Sequence, residues 1–537
     1  MSKRINNEAN NGFRQSMSWL HTWVGLVVGW LLYFMFITGS VGYFDTEIDR
    51  WMQPEIPPSI GLESPAHLLT LAEQRLQEIA PRATWWSIEL PSDRNRPFLL
   101  AEWGDEHSEV LEILHPQTGK AIAMRDTGGG QLLYRMHYRL RYIPQILAEW
   151  LVSLCAMFML MALITGVVIH RRIFKDFFTF RPSKKPRAWL DMHNVLSVLP
   201  LPFHFMITYS GLLFEAFVFM PLLVLGSYGN GDNSRDDFFD EAFNRKPSIS
   251  AEVLSETQSA RMQPLVTFLN DAEHRWGAGQ VAYINIDNPN NANARVEVNQ
   301  RQPYGLHDGF ELTYDGVSGE LLHSVGENIS GYTGFRDVML NLHEGLFSGI
   351  VLRWLYFLSG LMGAGMIATG MILWARKRRK QAQKSGQASK GLILIEQLNV
   401  GTIVGLPIAI AVYFWANRLI PVGFSGRADW EAHSLFIAWG CMLFYPLLLS
   451  VKRPCNRNVN KVWLEQTILA AALYGLLPVI NLLITGQHLG VTLLQGNWVL
   501  AGFDLTMLGI ALCLGFSAYK IGHKQSRATV RKPLEAL

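Results

Sequence analysis

The sequence predicts a polytopic α-helical membrane protein of about eight spans, with an internally duplicated four-helix core and two small α+β domains outside the bilayer. Three observations predict it. The 537 residues are 49% hydrophobic, and their apolar runs are too long for soluble core helices. Charge is segregated: the net charge is only +3, but basic residues crowd into short connections and acidic ones into two long segments. Finally, the order of histidine, Thr-Gly pair and basic stop recurs in the two halves of the first 375 residues.

In chain order, a short N-terminal segment (1–18) leads to span one (19–43), a long polar segment (44–136), and span two with a histidine segment before it (137–170). A basic loop (171–189), span three (190–224), a second long segment (225–342) and span four with its own histidine segment (343–375) follow. A further basic loop (376–397), an extension of four more spans (398–519) and a tail (520–537) complete the chain. Each apolar stretch is near the ~20 residues that cross a bilayer. The first has no small-residue cleavage site after it and is too long for a signal-peptide core, so it reads as a retained span. Pro200 and Pro202 predict a kink in the third.

Orientation follows from the connections. "HRRIFKDFFTFRPSKKPR" (170–187), "RKRRKQAQK" (376–384), "KRPCNRNVNK" (452–461) and the tail from Lys520 are basic, which places them and both termini in the cytoplasm. Residues 45–134 and 227–342 hold about twice as many acidic as basic residues and fall outside. Three of the four cysteines lie in spans and one in a basic loop, so neither outer domain has a disulfide, and no spacing suggests zinc or an iron–sulfur cluster.

Each long segment reads as a helix followed by strands. "ESPAHLLTLAEQRLQEIA" (63–80) has helical periodicity, then "TWWSIELP", "RPFLLAEWG" and "VLEILHPQTGKAIA" read as strands with a turn at Pro116–Gly119. The second segment repeats this with "AEVLSETQSARMQPLVTFLNDA", "GQVAYINIDN", "ARVEVNQ" and "FELTYDGVSGELLHSV". No phosphate-binding loop, nucleophile elbow or H-E-x-x-H helix occurs, and nothing points to nucleic acid.

The histidines are the chemistry-bearing residues. "HTWVGLVVGWLLYFMFITGS" starts at His21 and "HNVLSVLPLPFHFMITYSG" at His193, each reaching a glycine (Gly39, Gly211) eighteen residues on. His137, in "LYRMHYRLRY", leads to Thr165-Gly166, and His343, in "MLNLHEGLFSG", to Thr369-Gly370. His21 and His193 fall at the cytoplasmic starts of their spans, His137 and His343 before the outer ends of theirs. Paired imidazoles between helices of a bundle suit a six-coordinate b-type heme, and without C-x-x-C-H the heme is not covalently attached. A lone histidine at a bilayer surface is more often a polar anchor, but recurrence at equivalent sites favours ligation.

His204 lies eleven residues beyond His193, about 16 Å deeper on the same helical face. Three readings stay open for it: an alternative ligand, a wire between two hemes, or a hydrogen-bonded core residue. His170, matched by Trp374 in the other half and beside Arg171 and Arg172, reads as a surface anchor. Arg135, Arg139 and Arg141 suit either heme propionates and an anionic substrate, or an Arg and Tyr belt at the bilayer surface. Trp85, Trp86 and Trp103 fit packing better than a stacking surface. Glycines 25, 29, 360, 363 and 365 permit close helix contact.

"HTWVGL", "HYRL", "HEGLFSG", the Thr-Gly pairs before basic stops, and the hairpins "HPQTGKAI" and "YDGVSGELL" resemble the PepSY-associated transmembrane family over residues 15–380. That family includes FoxB-like siderophore reductases and PiuB-like iron-uptake proteins of bacterial inner membranes. The resemblance implies two hemes b in the four-helix core, held by His21 with His193 and by His137 with His343. It also implies periplasmic PepSY domains and reduction of a periplasmic ferric siderophore or other ferric chelate. Lacking a flavin or NAD(P)H signature, the chain needs a cytoplasmic-side donor: a reduced flavin, a flavoprotein or a quinol. Two alternatives from other classes are a non-enzymatic PepSY binding or regulatory module and a ferric-chelate transporter. "HNVLSV" lacks the Gly-Leu that follows such a histidine in the family pattern, and the last four spans lie outside that pattern; docking, quinone binding and stabilisation are all open for them.

Overall fold

In a bilayer every backbone N–H and C=O must find its partner within the chain, so long apolar segments fold as helices. The computed structural model describes residues 2–56, 63–92, 98–105, 108–170, 188–215, 224–229, 231, 234, 237, 258–301, 309–326, 331–385, 389–452 and 457–531. Six helices are long and apolar enough to span: Gln145–Ile169, Ile350–Lys384, Lys390–Leu419, Arg427–Leu449, Asn460–Thr485 and Trp498–Lys524. Two bent pairs, Gly12–Val27 with Gly29–Gly42 and Ala188–Val198 with Leu201–Phe214, bring the number among the described residues to eight if each pair counts as one span. The basic loop predicted at 171–189 lies mostly outside the described residues.

The 61° bend of the second pair falls at the break before Leu201, where Pro200 and Pro202 predict it. The 65° bend in span one is not anticipated by the sequence reading. It falls at Val28, next to Gly29, where an added Cβ would come within 3.1 Å of Met371 Sδ. Helix propensity is low at glycine, and close approach of a neighbouring helix takes its place. The fourth span also differs from its predicted bounds, because the helix Ile350–Ser385 continues through the basic run. There Arg379 pairs with Glu396 of the following helix.

The chain forms two units. The first comprises residues 1–54, 125–212 and 352–537, and holds all of the helices that pass as spans or bent pairs except the ends near the unit boundaries. One apolar cluster joins Leu32 and Met35 of span one with Val152, Met371, Tyr413 and Leu477, so the extension shares a core with the duplicated part. Polar bonds tie them further: Trp30 Nε1 donates to Asn399 Oδ1 at 3.0 Å and Tyr33 Oη to the Ile403 carbonyl at 2.9 Å. Such bonds hold helices together where water is absent.

The second unit, residues 55–124 and 213–351, corrects the expectation of two separate small domains. Its strands are β1 (Trp85–Glu89), β2 (Leu99–Gly104), β3 (Glu109–Leu114), β4 (Val281–Asp287), β5 (Arg295–Gln300), β6 (Glu311–Asp315) and β7 (Leu321–Val325). They form one antiparallel sheet in the order β3-β2-β1-β4-β5-β6-β7. β1 of the first segment pairs with β4 of the second, Ser87 opposite Asn285 and Ile88 opposite Ile284. Each segment alone would leave an edge strand open, and pairing the two edges removes both. Alternation puts Trp86, Ile88, Ile284, Ile286, Val296 and Leu312 in one core with Leu69 and Leu76 of helix Pro65–Ile79 and Phe268 of helix Leu265–Trp276. Trp86 is wholly buried there, with Nε1 donating to the Ala80 carbonyl at 2.9 Å, which settles it as packing.

Ser64 caps the first of these helices by accepting from His67 N–H at 3.3 Å, with Pro65 in its first turn. The second starts only at Leu265, later than the sequence reading has it. Pro264 precedes it, and Ser259 pairs as an isolated bridge with Asn291 instead. Residues 251–257 lie outside the described residues. Both predicted turns form alike, with Gly119 (φ +64°) and Gly319 (φ +81°) in the left-handed region.

Candidate functional site

Thr165 and Thr369 each sit inside a helix and donate their one hydroxyl proton to their own helix. Thr165 Oγ1 reaches the Met161 carbonyl at 2.7 Å, and Thr369 Oγ1 the Gly365 carbonyl at 2.8 Å. Toward any neighbour the hydroxyl can then only accept. His21 Nδ1 lies 3.2 Å from Thr165 Oγ1 and 3.0 Å from the Ala162 carbonyl. His193 Nδ1 lies 3.2 Å from Thr369 Oγ1 and 2.9 Å from the Met366 carbonyl. With acceptors only in front of it, each Nδ1 carries the proton, which leaves the lone pair on Nε2. Among the described residues neither Nε2 has a hydrogen-bond partner.

The glycine after each threonine makes room for the ring. A Cβ on Gly166 would stand 3.4 Å from His21 Cε1, and one on Gly370 would stand 3.3 Å from His193 Cε1. The duplication seen in sequence is therefore a duplication of one histidine seat. His21, His193 and His170 lie within electrostatic reach of one another. The first predicted pair therefore shares one neighbourhood with His170.

His137 follows helix Gly129–Met136 as its C-terminal cap. Its Nδ1 donates to the Met35 carbonyl at 2.8 Å, so its lone pair also falls on Nε2. It rests on Gly39, where an added Cβ would come 2.6 Å from Nδ1. A seat of carbonyl plus glycine thus recurs a third time, without the threonine. His343 belongs to the second unit, near the end of helix Gly331–Glu344, with its ring 5.2 Å from that of Phe214.

His204 is built differently. It is wholly buried, and Nε2 donates to the Ser359 carbonyl at 3.1 Å, which reverses the tautomer. Its Nδ1 is buried with no partner among the described residues. The ring meets Phe36 edge-on at 5.8 Å, over Gly363.

The arginines divide. Arg141 pairs with Asp429 of the extension at 2.5 Å, whereas Arg135 and Arg139 are exposed on either side of His137. Arg139 lies over the Tyr138 ring at 5.6 Å. Of the singled-out glycines, Gly29, Gly360, Gly363 and Gly365 all meet a neighbouring helix closely, and Gly25 does not. In the extension, His433 bonds Tyr142 Oη, and His488 caps helix Leu489–Leu494 by accepting from Gly490 N–H at 3.2 Å.

The donor set suits an iron porphyrin better than a bare ion. Among the described residues no three His, Cys, Asp or Glu side chains converge on one point. Instead, His21 and His193 have Nδ1 held by carbonyls and keep the lone pair on Nε2, the protonation that a metal-bound imidazole requires. Sequence reasoning missed Gly128, Gly129, Gly130, Asn417, Arg427 and Glu431, which surround the start of the His137 helix; the run of three glycines is the signal that was there to find. No curated protein sequence matches the chain. Residues 18–377, two thirds of it, match the PepSY-associated TM region, and the chain belongs to that family.

Proposed function

We propose that the protein is a di-heme b-type reductase of a bacterial inner membrane that takes electrons from the cytoplasmic side and delivers them to periplasmic ferric siderophore or another ferric chelate. The observation that supports it most is the repeated seat. Three of the four predicted histidines have Nδ1 bonded to a backbone carbonyl and a glycine under the ring, which orients Nε2 as a ligand. His21 and His193 would hold a heme near the cytoplasmic face. His137 would be a ligand of a second heme near the periplasmic face, and for His343 the same role rests on the family resemblance alone. Heme, when bound, supplies reversible one-electron chemistry.

The chain's own residues then have separable tasks. Thr165 and Thr369 fix the tautomer. Glycines 39, 166 and 370 keep space beside the rings. Arg135 and Arg139 present positive charge at the face where an anionic chelate arrives. The sheet-bearing unit is assigned to the PepSY-like part, outside the membrane. One electron converts Fe(III) to Fe(II), which hard oxygen ligands hold less strongly, so the chelate releases it. The donor is a reduced flavin, a flavoprotein or a quinol.

The test is anaerobic. Protein reduced with dithionite and freed of excess reductant is mixed with ferric siderophore in the presence of a ferrous trap. Reoxidation of the protein with matching ferrous release is expected. Reduced protein that ignores the chelate contradicts the reductase, and accumulation of intact chelate in vesicles without reduction would favour transport.

A further inference from the structure

The eight-residue helix Gly129–Met136, which ends at His137, has no cap of its own, because its N-cap is Gly128. The first N–H groups of a helix need acceptors, and in a buried setting the chain must supply them. Here they come from other elements. Gly128 N–H donates to Glu431 Oε2 at 3.1 Å, and Gly130 N–H to Asp49 Oδ1 at 2.8 Å. Gly129 N–H donates to Thr127 Oγ1 at 3.2 Å, and the Thr127 hydroxyl in turn donates to Glu431 Oε2 at 2.6 Å.

Glu431 is itself held. Its Oε1 accepts from Asn417 Nδ2 at 2.8 Å and from Arg427, and both Arg427 and Glu431 are wholly buried. Arg427 also donates to the Asp126 carbonyl at 2.7 Å, Arg125 to the Asn417 carbonyl at 3.0 Å, and Tyr413 Oη to the Gly129 carbonyl at 2.8 Å. The three glycines are what let this close. An added Cβ at Gly128 would lie 2.8 Å from Tyr413 Oη, at Gly129 1.8 Å from Asp49 Oδ1, and at Gly130 2.0 Å from the Asp45 carbonyl oxygen.

We propose that the four-span extension seats the helix presenting His137, with Glu431 as the positioning residue and Arg427 and Asn417 holding Glu431 in place. A carboxylate accepting at a helix start is favoured by the helix dipole as well as by the hydrogen bonds. His137 lies two turns, about 12 Å, from that start, so loosening the start displaces the imidazole from the Met35 carbonyl. This gives a role to helices that lie beyond the family match. The effect on iron rests on the reading of His137 as an axial ligand; the seating does not.

The experiment uses the full-length protein in detergent, as wild type, Glu431→Ala and Glu431→Gln. Amide exchange over residues 128–136 is measured beside a redox titration of both hemes. In the wild type the segment is expected to exchange as slowly as the spans. E431A should raise its exchange on the order of tenfold and shift the potential of one heme only, the one lost when His137 is replaced. E431Q keeps one acceptor oxygen but sets an amide N–H2 where the other oxygen accepted two hydrogen bonds, so its exchange and its potential shift should fall between those of wild type and E431A. Fast exchange in the wild type, unchanged exchange in E431A, or an equal shift of both hemes would overturn the proposal. If E431A does not accumulate, wild type and E431Q still make the comparison. A protein that binds no heme would sink the relay alone, and the exchange arm would still decide whether Glu431 seats the helix.

Discussion

A histidine can serve as a ligand only when one ring nitrogen keeps its lone pair, and here small neighbours hold the proton on the other. Thr165 and Thr369 donate to their own helices and so accept from Nδ1 of His21 and His193. Replacing Thr165 with valine keeps the volume but removes one of two acceptors. The expected result is roughly tenfold weaker heme retention at that site, the lower end of outer-shell effects, measured by transfer to apomyoglobin. Gly39 makes the sharper case. Gly39→Ala would put a methyl 2.6 Å from His137 Nδ1, so the His137 heme is expected to be lost and the other kept. Heme per chain, by pyridine hemochromogen, checks it; full retention of both would mean that the ring is not where its function needs it. The repeated seats of His21 and His193 could be anticipated from sequence, because each histidine precedes a Thr-Gly pair at the same place in its half. The carbonyl acceptors were not legible, since every residue has a carbonyl and only packing selects one.

At the scale of elements, local chemistry explains what the sequence foretold and tertiary pairing explains what it did not. The hairpin turns were readable because Gly119 and Gly319 take a left-handed conformation that favours glycine. Helix Pro65–Ile79 was readable from its helical periodicity. The β1–β4 pairing was not, because residues 85–89 and 281–287 are far apart in the chain and edge-to-edge pairing leaves no local mark. The turn after β6 also carries a pH dependence. Burial pushes the Asp315 carboxyl up, but hydrogen bonds from Ser318 and Val317 and the nearby Arg295 outweigh it and hold the group below its ordinary value. A depressed folded value means stability that is present above the unfolded value, near 4, and lost as pH falls through the folded one. Amide exchange of residues 315–319, corrected for intrinsic rates, should therefore rise on acidification below about pH 4. Asp315→Asn should flatten that dependence, and an unchanged profile in the variant would assign it to another group.

For the molecule as a whole, six to eight helices fit to span a membrane and the family could be read before any coordinates, because bilayer thickness acts on the sequence directly. The role of the extension could not. Arg427 and Glu431, four apart in "GRADWEA", carry no mark of burial in the sequence, and only the fold buries them against Asp126 to Gly128. The break in span one was hidden for a similar reason: Gly29 answers to Met371, more than three hundred residues away. The central claim concerns what the repeated seats hold. The measurement that tests it most directly is the visible spectrum of the detergent-purified protein, oxidised and then dithionite-reduced, for wild type, His193→Ala and His137→Ala. The account predicts two low-spin b-type hemes in the wild type and a different one missing from each variant. A wild-type protein that stays colourless when heme is supplied during expression would contradict it, as would the loss of both hemes from either single change.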